Sequence, residues 1–336
     1  MSKPRPKRRK RPVALCLFLG LLLAVLVVGT GYAQSLLGKI RYVDPVTTPT
    51  LSQQELDAYL ATQPAETSDL PTMSPEDVDL GDQADLISDA QTVNILLIGQ
   101  DRLPGETRAR SDAMILCSFD TASGQLTMTS FLRDLYVKIP GYRQNRLNAA
   151  YAAGGMALLD QTLTENFGVR IDGNVEVDFN QFSQIIDLLG GVRLELRQDE
   201  ANWLNRDLGT SLTEGSQTLT GTEALAYARI RKLDADGDFS RTSRQRKVLT
   251  ALIDAYKGTD LTTALSLLDQ LLPLLTTDLT GQQIVKYAVQ LLPMLATAQI
   301  ETRHVPAPDT YSSVNINGMA VLVADMEANR ALLAQP

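Results

Sequence analysis

The feature that most constrains this chain is an uncharged, mostly apolar stretch of 21 residues, 13–33, that directly follows a basic tail. Residues 1–12 contain seven lysines and arginines and no acid. A helix of about 20 apolar residues matches a bilayer core about 30 Å thick, and basic flanks stay in the cytoplasm. We therefore predict a cytoplasmic tail (1–12), a single-pass transmembrane helix (13–33) and an extracytoplasmic remainder of the chain.

A cleaved signal peptide is the alternative for the same segment. Gly31-Tyr32-Ala33 loosely resembles a cleavage site. The apolar stretch is longer than the apolar core of about 7–15 residues that signal peptides have. Its length favours a retained anchor, and whether the anchor is cleaved stays open.

Downstream of the tail the chain is strongly acidic. Of the 31 lysines and arginines 24 lie there, against 39 aspartates and glutamates. Nonspecific nucleic-acid binding depends on basic side chains that neutralise phosphates, so we expect no nucleic-acid partner. The two cysteines, Cys16 and Cys117, fall in the membrane segment and in a predicted strand. They therefore form neither a disulfide framework nor a metal cluster.

Residues 34–90 have the composition of a linker. No lysine or arginine occurs from Val43 to Gln100, and eleven acidic residues lie between Asp44 and Asp89. Such a segment repels itself and stays extended, so we predict an acidic spacer that lifts the folded domain off the membrane. A short helix over 52–62 is the one element expected there, because Ser52 and Glu55 form a capping-box pattern.

The pattern of residues 91–336 predicts one α/β domain. Apolar runs of strand length alternate with amphipathic helices, and at least one hairpin is present. This order favours a mixed sheet that is covered on both faces. The predicted strands are 93–99, 113–120, 126–137, 174–177, 192–196 and 299–305, and the predicted helices are 148–166, 180–189, 219–227, 239–256, 261–275, 282–295 and a final one.

Five arginines lie within eighteen residues, interleaved with aspartates. An extended segment at 229–231 places Arg229 and Arg231 on one face. Asp238 or Ser240 then caps a helix that begins after the Asp-Gly-Asp turn. Arginines that converge beside a helix N-terminus are typical of a site for a multiply charged phosphate. The alternative is a solvated helix with ion pairs. The arginines are Arg229, Arg231, Arg241, Arg244 and Arg246.

The loop between the first two predicted strands carries a second group of charged residues. Asp101 follows the first strand, and Arg110 and Asp112 precede the next. Two carboxylates on such a loop can hold Mg²⁺ together with water and substrate phosphates. The alternative is that both aspartates cap turns. Arg133 ends the predicted hairpin and can reach the same rim, unless it forms an ordinary surface ion pair.

Seven segments resemble, in order, the LytR–CpsA–Psr family of cell-wall glycopolymer transferases. They cover residues 93 to about 257, and the resemblance implies an α-β-α sandwich that binds a polyprenyl diphosphate carrying a glycan. It departs from the family at Leu132, where the usual motif has proline, so the aim of Arg133 is less fixed. The segments are VNILLIGQDR, RSDAMILCSFD, SFLRDLYVKIPG, RLNAAYAAGG, VDFNQFSQIIDLLGGV, LTGTEALAYARIRK and DGDFSRTSRQRKV.

The resemblance also assigns roles to residues. It places Mg²⁺ on Asp101 and Asp112. It places the diphosphate on six residues. Five of these six, all except Gln245, are also predicted to be catalytic. Asp238 is predicted as a further catalytic residue. The proton acceptor stays open between Asp238 and the two aspartates of the loop. The diphosphate ligands are Arg110, Arg133, Arg229, Arg231, Arg241 and Gln245.

The function implied is that of a membrane-anchored, magnesium-assisted phosphotransferase. It moves a glycopolymer from its polyprenyl-diphosphate carrier onto peptidoglycan. Two alternatives are a diphosphate hydrolase, and a binding or regulatory protein without turnover. The polyprenyl chain needs an apolar pocket, although the same side chains also suit an ordinary core. The candidates are Phe182, Ile185, Ile186, Leu189, Val248 and Leu252.

Two other residues are assigned structural roles. His304 is the only histidine and is predicted to end a strand. With one histidine and no G-x-S-x-G motif, a serine-hydrolase triad is unsupported. Trp203 is predicted to be a packing residue under a loop at 199–212.

Overall fold

A seven-stranded mixed sheet forms the centre of the protein. The computed structural model describes residues 35, 37–62, 69–87, 91–102, 109–257, 261–295 and 297–335. The sheet has the order β1-β10-β7-β2-β3-β4-β11. The strands are β1 (Arg41–Tyr42), β2 (Thr92–Gln100), β3 (Ser111–Asp120), β4 (Gln125–Phe131), β5 (Tyr136–Val137), β6 (Asn145–Arg146), β7 (Gly173–Asp178), β8 (Val192–Leu196), β9 (Gly215–Leu219), β10 (Thr276–Thr277), β11 (Gln299–Val305), β12 (Tyr311–Ile316) and β13 (Met319–Ala324).

Helices cover both faces of this sheet. Two short 3₁₀ turns, Pro75–Asp77 and Leu272–Leu274, accompany them. The helices are α1 (Gln53–Ala61), α2 (Leu147–Phe167), α3 (Phe179–Leu188), α4 (Gln198–Leu208), α5 (Gly221–Ala228), α6 (Asp238–Tyr256), α7 (Leu261–Leu271), α8 (Gly281–Leu295) and α9 (Met326–Leu333).

The central strand β2 shows why its sequence is continuously apolar. Leu96 and Ile98 belong to the core formed with α2. Ile95 and Leu97 point to the other face, where they pack in the core formed with α8. Successive strand side chains face opposite ways, so a strand covered on both faces has no polar alternation. The prediction of an α/β fold with a central mixed sheet is confirmed.

Most predicted elements of this domain are confirmed, and the helix α2 is kinked. Gly155 has φ 67° and ψ −151° inside that helix. A positive φ with this ψ is accessible to glycine and strained for other residues. The carbonyl of Ala153, next to the kink, accepts a hydrogen bond from the amide of Leu51. The kinked part of α2 therefore binds the segment around Leu51, which was predicted to lie outside the domain.

A second core lies beside the sheet and is built around the β8–β9 hairpin. Leu194, Leu204 and Tyr227 are buried in it, from β8, α4 and α5. The prediction of a loop at 199–212 was wrong, because most of it is the helix α4. Gly209, at φ 70°, ends that helix, as glycine commonly does. Trp203 does pack against this core, although from a helix.

Residues 34–90 differ from the predicted extended spacer. The helix α1 is present with the predicted capping box of Ser52 and Glu55. Leu56 on this helix is 1% exposed in the main core, and Leu80 is 2% exposed. The strand β1 extends the main sheet next to β10. A few apolar side chains at helical spacing are thus enough to hold an acidic segment on the domain, because burial outweighs weak charge repulsion in water.

One strand boundary and several short strands also differ from the prediction. Strand β4 ends at Phe131 rather than at residue 137, since Leu132 to Leu135 form a turn closed by a backbone hydrogen bond. The short strand β10 and the hairpin of β12 and β13 were not predicted. His304 lies near the end of β11, as predicted.

The predicted tail (1–12) and transmembrane helix (13–33) lie outside the described residues. Within the ranges that the structure does describe, no helix is both long enough and apolar enough to cross a bilayer.

The burial of α1 gives a test of whether the acidic segment belongs to the folded domain. We expect Leu56→Ala to lower the free energy of unfolding by about 2–5 kcal/mol, because it leaves a cavity in the main core. Val46 is 89% exposed in the same segment, and Val46→Ala serves as the control. The control should change stability by no more than about 0.5 kcal/mol. Urea denaturation measures both, and equal effects would contradict the assignment.

Candidate functional site

A cavity of about 590 Å³ opens where the parallel strands β2 and β7 end. Its mouth is lined by charged side chains and its interior by apolar ones. Open α/β sheets place their binding sites at this edge, beyond the carboxyl ends of the strands. The interior includes Leu97, Ile115, Val175, Phe182, Ile185, Leu249, Leu252 and Leu275, and the mouth includes Asp101, Arg110, Asp112, Arg133, Arg229, Arg231, Arg241 and Gln245.

A β-bulge brings Asp112 to this mouth. Gly99 of β2 pairs with Ala113 and Gln100 pairs with Ser111, so Asp112 is the extra residue on β3. In regular alternation Asp112 would share the face of Met114, which packs in the core with α2. The bulge instead lets Asp112 and Ala113 both line the cavity. Nothing in the amino-acid sequence indicates this irregularity.

Arg133 lies at the centre of the charged residues. Its Nη1 is 2.9 Å from Oδ1 of Asp112, and its Nε lies 3.5 Å from Asp134 and 3.9 Å from Asp238. The side chain is 7% exposed. Burial acts to lower the pKa of Arg133, but the three carboxylates more than offset it and raise that pKa. The guanidinium is therefore permanently charged and held from three sides.

Arg241 is the second buried cation of the site. It is 2% exposed, and its Nη2 lies 2.7 Å from Oδ2 of Asp238 and 3.3 Å from the carbonyl oxygen of Asp112. Its Nε and the Oε1 of Gln245 are buried and, among the described residues, have no hydrogen-bond partner. Gln245 stands one helical turn after Arg241 on the same helix. Both side chains line the cavity, so a ligand there can satisfy atoms that the protein leaves unpaired.

Asp238 links these arginines, and it does so differently from the prediction. It is not the cap of α6: the helix begins with Gly237 at the N-cap, and neither Asp238 nor Ser240 caps it. The carboxylate instead contacts Arg241, Arg133 and Arg231, the last at 3.6 Å. Burial raises the pKa of Asp238 to about 6, although the positive charges of Arg133 and Arg231 act against this rise.

Arg229 and Arg231 reach the mouth from the end of α5. The segment 229–231 is not extended as predicted, because Arg229 (φ −103°, ψ −3°) caps that helix. The side chains remain half-exposed, at 50% and 39%. Arg229 lies 3.6 Å from Asp101, and its guanidinium stands 4.4 Å from the ring centre of Phe179. These two arginines are more accessible to a ligand than the buried Arg133 and Arg241.

The other two arginines of the segment are structural. Arg244 is buried and pairs with Glu200 at 2.9 Å and with Asp234. Arg246 is also buried, and burial lowers its pKa to about 10. The ion-pair interpretation therefore holds for Arg244, whereas Arg229, Arg231 and Arg241 line the cavity.

The predicted lipid-pocket residues separate into two groups. Phe182, Ile185 and Leu252 line the cavity. Ile186 and Val248 do not, since both are fully buried in the second core. Leu189 also lies off the cavity, at the end of α3, where its carbonyl accepts a hydrogen bond from a tyrosine. One step along a helix turns a side chain by about 100°, so neighbouring apolar residues serve different cores.

The cavity has further lining residues that the sequence did not single out. Leu97, Ile115 and Val175 come from three strands of the sheet. They share the apolar character of any buried strand, so nothing in the sequence marks them. Asp134 was also missed as a partner of Arg133, although it directly follows that arginine.

The donors present at the mouth fit a magnesium ion. Asp101 and Asp112 both line it and are 47% and 18% exposed. No group of three histidine, cysteine or acidic side chains suited to a metal occurs in the part of the chain that the structure describes. Mg²⁺ commonly binds through one or two carboxylates and takes its other ligands from water and phosphate oxygens. The assignment of both aspartates to the metal stays a prediction.

Comparison with known proteins decides the family. The model of the LytR_cpsA_psr family matches residues 54–335. The chain belongs to this family. The resemblance seen in the sequence is therefore confirmed, and the LytR_cpsA_psr match begins inside the segment predicted to be a spacer.

Curated members of the LytR_cpsA_psr family include two relatives of this chain. Regulatory protein MsrR of Staphylococcus aureus is 37% identical over 162 residues, which are 48% of this chain and 48% of MsrR. TagU of Oceanobacillus iheyensis, named a polyisoprenyl-teichoic acid–peptidoglycan teichoic acid transferase, is 36% identical over 201 residues, 58% of this chain and 61% of TagU. The chain thus spans about half the length of MsrR and three-fifths of TagU in these matches.

A solved structure of the same family has this fold. It is the B. subtilis protein TagT (YwtF) with bound octaprenyl pyrophosphate lipid. It is 26% identical to this chain with a TM-score of 0.57, and the match covers 75% of this chain and 94% of TagT.

The raised pKa of Asp238 predicts a pH dependence of stability. The folded carboxyl takes up a proton near pH 6, and the unfolded one near its ordinary value of 3.8. Between these values the folded state binds more protons, so the contribution of Asp238 to the free energy of unfolding falls as pH rises. We expect Asp238→Asn to remove that decrease. Urea denaturation at several pH values from 4 to 7 measures it, and parallel curves for both proteins would contradict the assignment.

Proposed function

We propose that this protein is a membrane-anchored phosphotransferase that moves a glycopolymer from a polyprenyl-diphosphate carrier onto peptidoglycan outside the cytoplasm. One observation carries the proposal: a cavity that is apolar inside ends at a mouth where five arginines converge. A lipid diphosphate has the same division between an apolar chain and a multiply charged head. A nucleotide or a sugar lacks a long apolar chain that could fill such an interior.

The arginines divide into fixed and accessible ligands for the diphosphate. Arg133 and Arg241 are buried and held by carboxylates, so they give a charge at a set position. Arg229 and Arg231 are half-exposed and can adjust to the incoming head group. A guanidinium binds phosphate oxygens through two parallel N–H donors. Together with Arg110, they neutralise charge on the phosphoryl oxygens, which is the main contribution a protein makes to phosphoryl transfer.

Asp101 and Asp112 would hold Mg²⁺ at the same mouth. When bound, the ion supplies positive charge against the diphosphate oxygens. Asp112 is oriented for this by the bulge in β3 and by its contact with Arg133. Asp101 lies against Arg229, so the two residues can separate to receive a metal and a phosphate, respectively.

The transfer is a displacement at phosphorus. A sugar hydroxyl of peptidoglycan forms a new bond to the phosphorus nearest the glycan, and the bridging P–O bond breaks. The glycan leaves as a phosphodiester on the acceptor, and the carrier leaves as polyprenyl phosphate. The proton of the hydroxyl needs a base at the mouth. Asp238 suits this role best, because its pKa of about 6 keeps it ionised at neutral pH and able to accept a proton.

The relatives agree with this proposal. TagU carries the name of a teichoic acid transferase that acts on peptidoglycan. TagT has been solved with octaprenyl pyrophosphate bound. We extend both properties to this chain on the arrangement of its own cavity and arginines.

Two alternatives use the same site and are separated by one experiment. Water in place of the sugar hydroxyl makes the protein a diphosphate hydrolase. A protein that only binds the lipid would fit a regulatory role, which is the description MsrR carries. Incubation with Mg²⁺, a labelled polyprenyl-diphosphate glycan and peptidoglycan oligomers yields transferred glycan phosphate, free glycan phosphate or unchanged substrate, respectively.

The accessible arginines should be essential for turnover. We expect Arg229→Ala and Arg231→Ala each to lower kcat by about a thousandfold, the scale on which a single arginine acts in phosphoryl transfer. The fold should be unchanged, because both side chains are half-exposed. Arg193→Ala is the matched control, since Arg193 is exposed on β8 and pairs only with Ser216 among the described residues. Transfer assays and circular dichroism measure the two properties, and wild-type activity in both site variants would refute the assignment.

The metal assignment has a readout that does not depend on turnover. We expect Asp101→Asn to weaken Mg²⁺ binding in the presence of a polyprenyl diphosphate by about tenfold or more, because one of two charged ligands is lost. Titration calorimetry measures the binding. Asp134→Asn is unsuitable as a control because Asp134 holds Arg133. Asp120→Asn, at the other end of β3, should leave the affinity unchanged.

A further inference from the structure

Four exposed apolar side chains gather at one edge of the main sheet. Among the described residues few large apolar side chains are exposed, and Tyr42, Val46, Val285 and Val289 are four of them, with Val289 73% exposed. Single exposed apolar residues are normal on a protein surface, but a group on one edge marks a place where something binds.

Hydrogen bonds and packing bring these residues to the same edge. Tyr42 of β1 pairs with Thr277 of β10, at the outer side of the sheet. Helix α8 begins four residues after that strand, and a Cβ atom added to its first residue, Gly281, would come within 3.0 Å of the side chain of Leu37. Leu37, which shortly precedes β1, and the start of α8 therefore lie side by side. We call this surface the β1–α8 edge.

Helix α8 carries apolar side chains on two faces, although only one of these faces packs against the sheet. Ile284 and Leu291 pack inward on the sheet beside Ile95 of β2. Val285 and Val289 stand one turn apart and point away from that core, with 43% and 73% of their surface exposed. A surface helix normally carries polar residues there.

The chain before the described residues shows what covers this edge. The apolar stretch 13–33 ends at Ala33, and only three residues (34–36) separate it from Leu37, which lies against Gly281. An extended chain spans at most about 3.6 Å per residue, so Leu37 lies within about 14 Å of the end of that stretch. If the stretch crosses a bilayer, the β1–α8 edge must lie at its surface.

The charges at the edge suit a lipid surface. Arg41 and Lys286 are exposed directly beside the apolar side chains, in a protein whose body is otherwise acidic. Basic residues near anionic head groups, and tyrosine at the boundary between lipid and water, are typical of membrane interfaces.

We propose that the β1–α8 edge rests on the outer surface of the bilayer, with Val285 and Val289 inserted among the lipids. The inference rests on the proposed anchoring by residues 13–33. It also gives the lipid substrate a path: Leu275 lines the cavity, and its carbonyl accepts a hydrogen bond from Arg41 of β1. One apolar wall residue of the cavity is thus joined directly to the β1–α8 edge, next to the bilayer from which the polyprenyl chain comes.

Quenching by brominated lipids tests the proposal on the full chain. The protein has one tryptophan, Trp203, so a Trp203→Phe background is first shown to keep its circular dichroism and melting temperature. Val289→Trp is then introduced, and the protein is placed in vesicles of mixed neutral and anionic lipids with brominated acyl chains. Glu195→Trp in the same background is the control, on an exposed position of β8.

We expect the tryptophan at position 289 to lose about half of its fluorescence or more, since an inserted side chain reaches about 5–10 Å into the lipid. The tryptophan at position 195 should keep its fluorescence. Equal signals from the two variants would overturn the proposal. A fluorescence at position 289 that changes with protein concentration and not with brominated lipid would also overturn the proposal, because it would indicate that a second copy of the chain covers the edge. The measurement needs no turnover, so it is decided independently of the transferase assay.

Discussion

The buried contact of Arg133 with Asp112, Asp134 and Asp238 is the interaction on which the site depends. Each carboxylate comes from a different part of the fold, so the contact joins β3, the turn after β4 and the start of α6 at one point. Burying charges is costly unless opposite charges and hydrogen bonds compensate it. Here the compensation is complete enough to keep the arginine ionised, and one of the three carboxylates, Asp238, also contacts Arg231 and Arg241. The fixed charges of the mouth are in this way a single connected unit.

The division of the cavity into an apolar interior and a charged mouth follows from the geometry of the sheet. On the side of the cavity, β2, β3 and β7 present the apolar side chains Leu97, Ile115 and Val175. Charged side chains lie at the strand termini next to them, at Asp101, Asp112 and Asp178. Phe179 lies at the boundary, with the guanidinium of Arg229 over its ring. A cation over an aromatic face gains about 0.5–2 kcal/mol, depending on its exposure to water. The boundary residue can therefore contact both halves of the proposed lipid diphosphate.

The sequence predicted the α/β fold and the residues of the mouth for physical reasons, and missed others for equally physical ones. Strands such as β2 can be recognised in the sequence because a continuous apolar run of that length is typical of a buried strand. Arginines and aspartates at loop ends are visible because charge is rarely placed there without a partner. By contrast, Ile186 and Ile185 are adjacent and chemically identical, and only the rotation of α3 sends one to the core and one to the cavity. The prediction of an extended spacer at 34–90 was wrong because it rested on the net charge of the segment. The packing of the segment on the domain depends instead on single side chains such as Leu56.

The extra residue in β3 makes the length of that strand a functional property. A deletion of one residue between Arg110 and Ala113 would let β2 and β3 pair without interruption. The sheet would lose nothing, and strand register would even become simpler. The carboxylate, however, would rotate to the opposite face, toward Met114 and the apolar core under α2. Natural variants of this protein should therefore keep both the carboxylate at position 112 and the number of residues between Arg110 and Ala113.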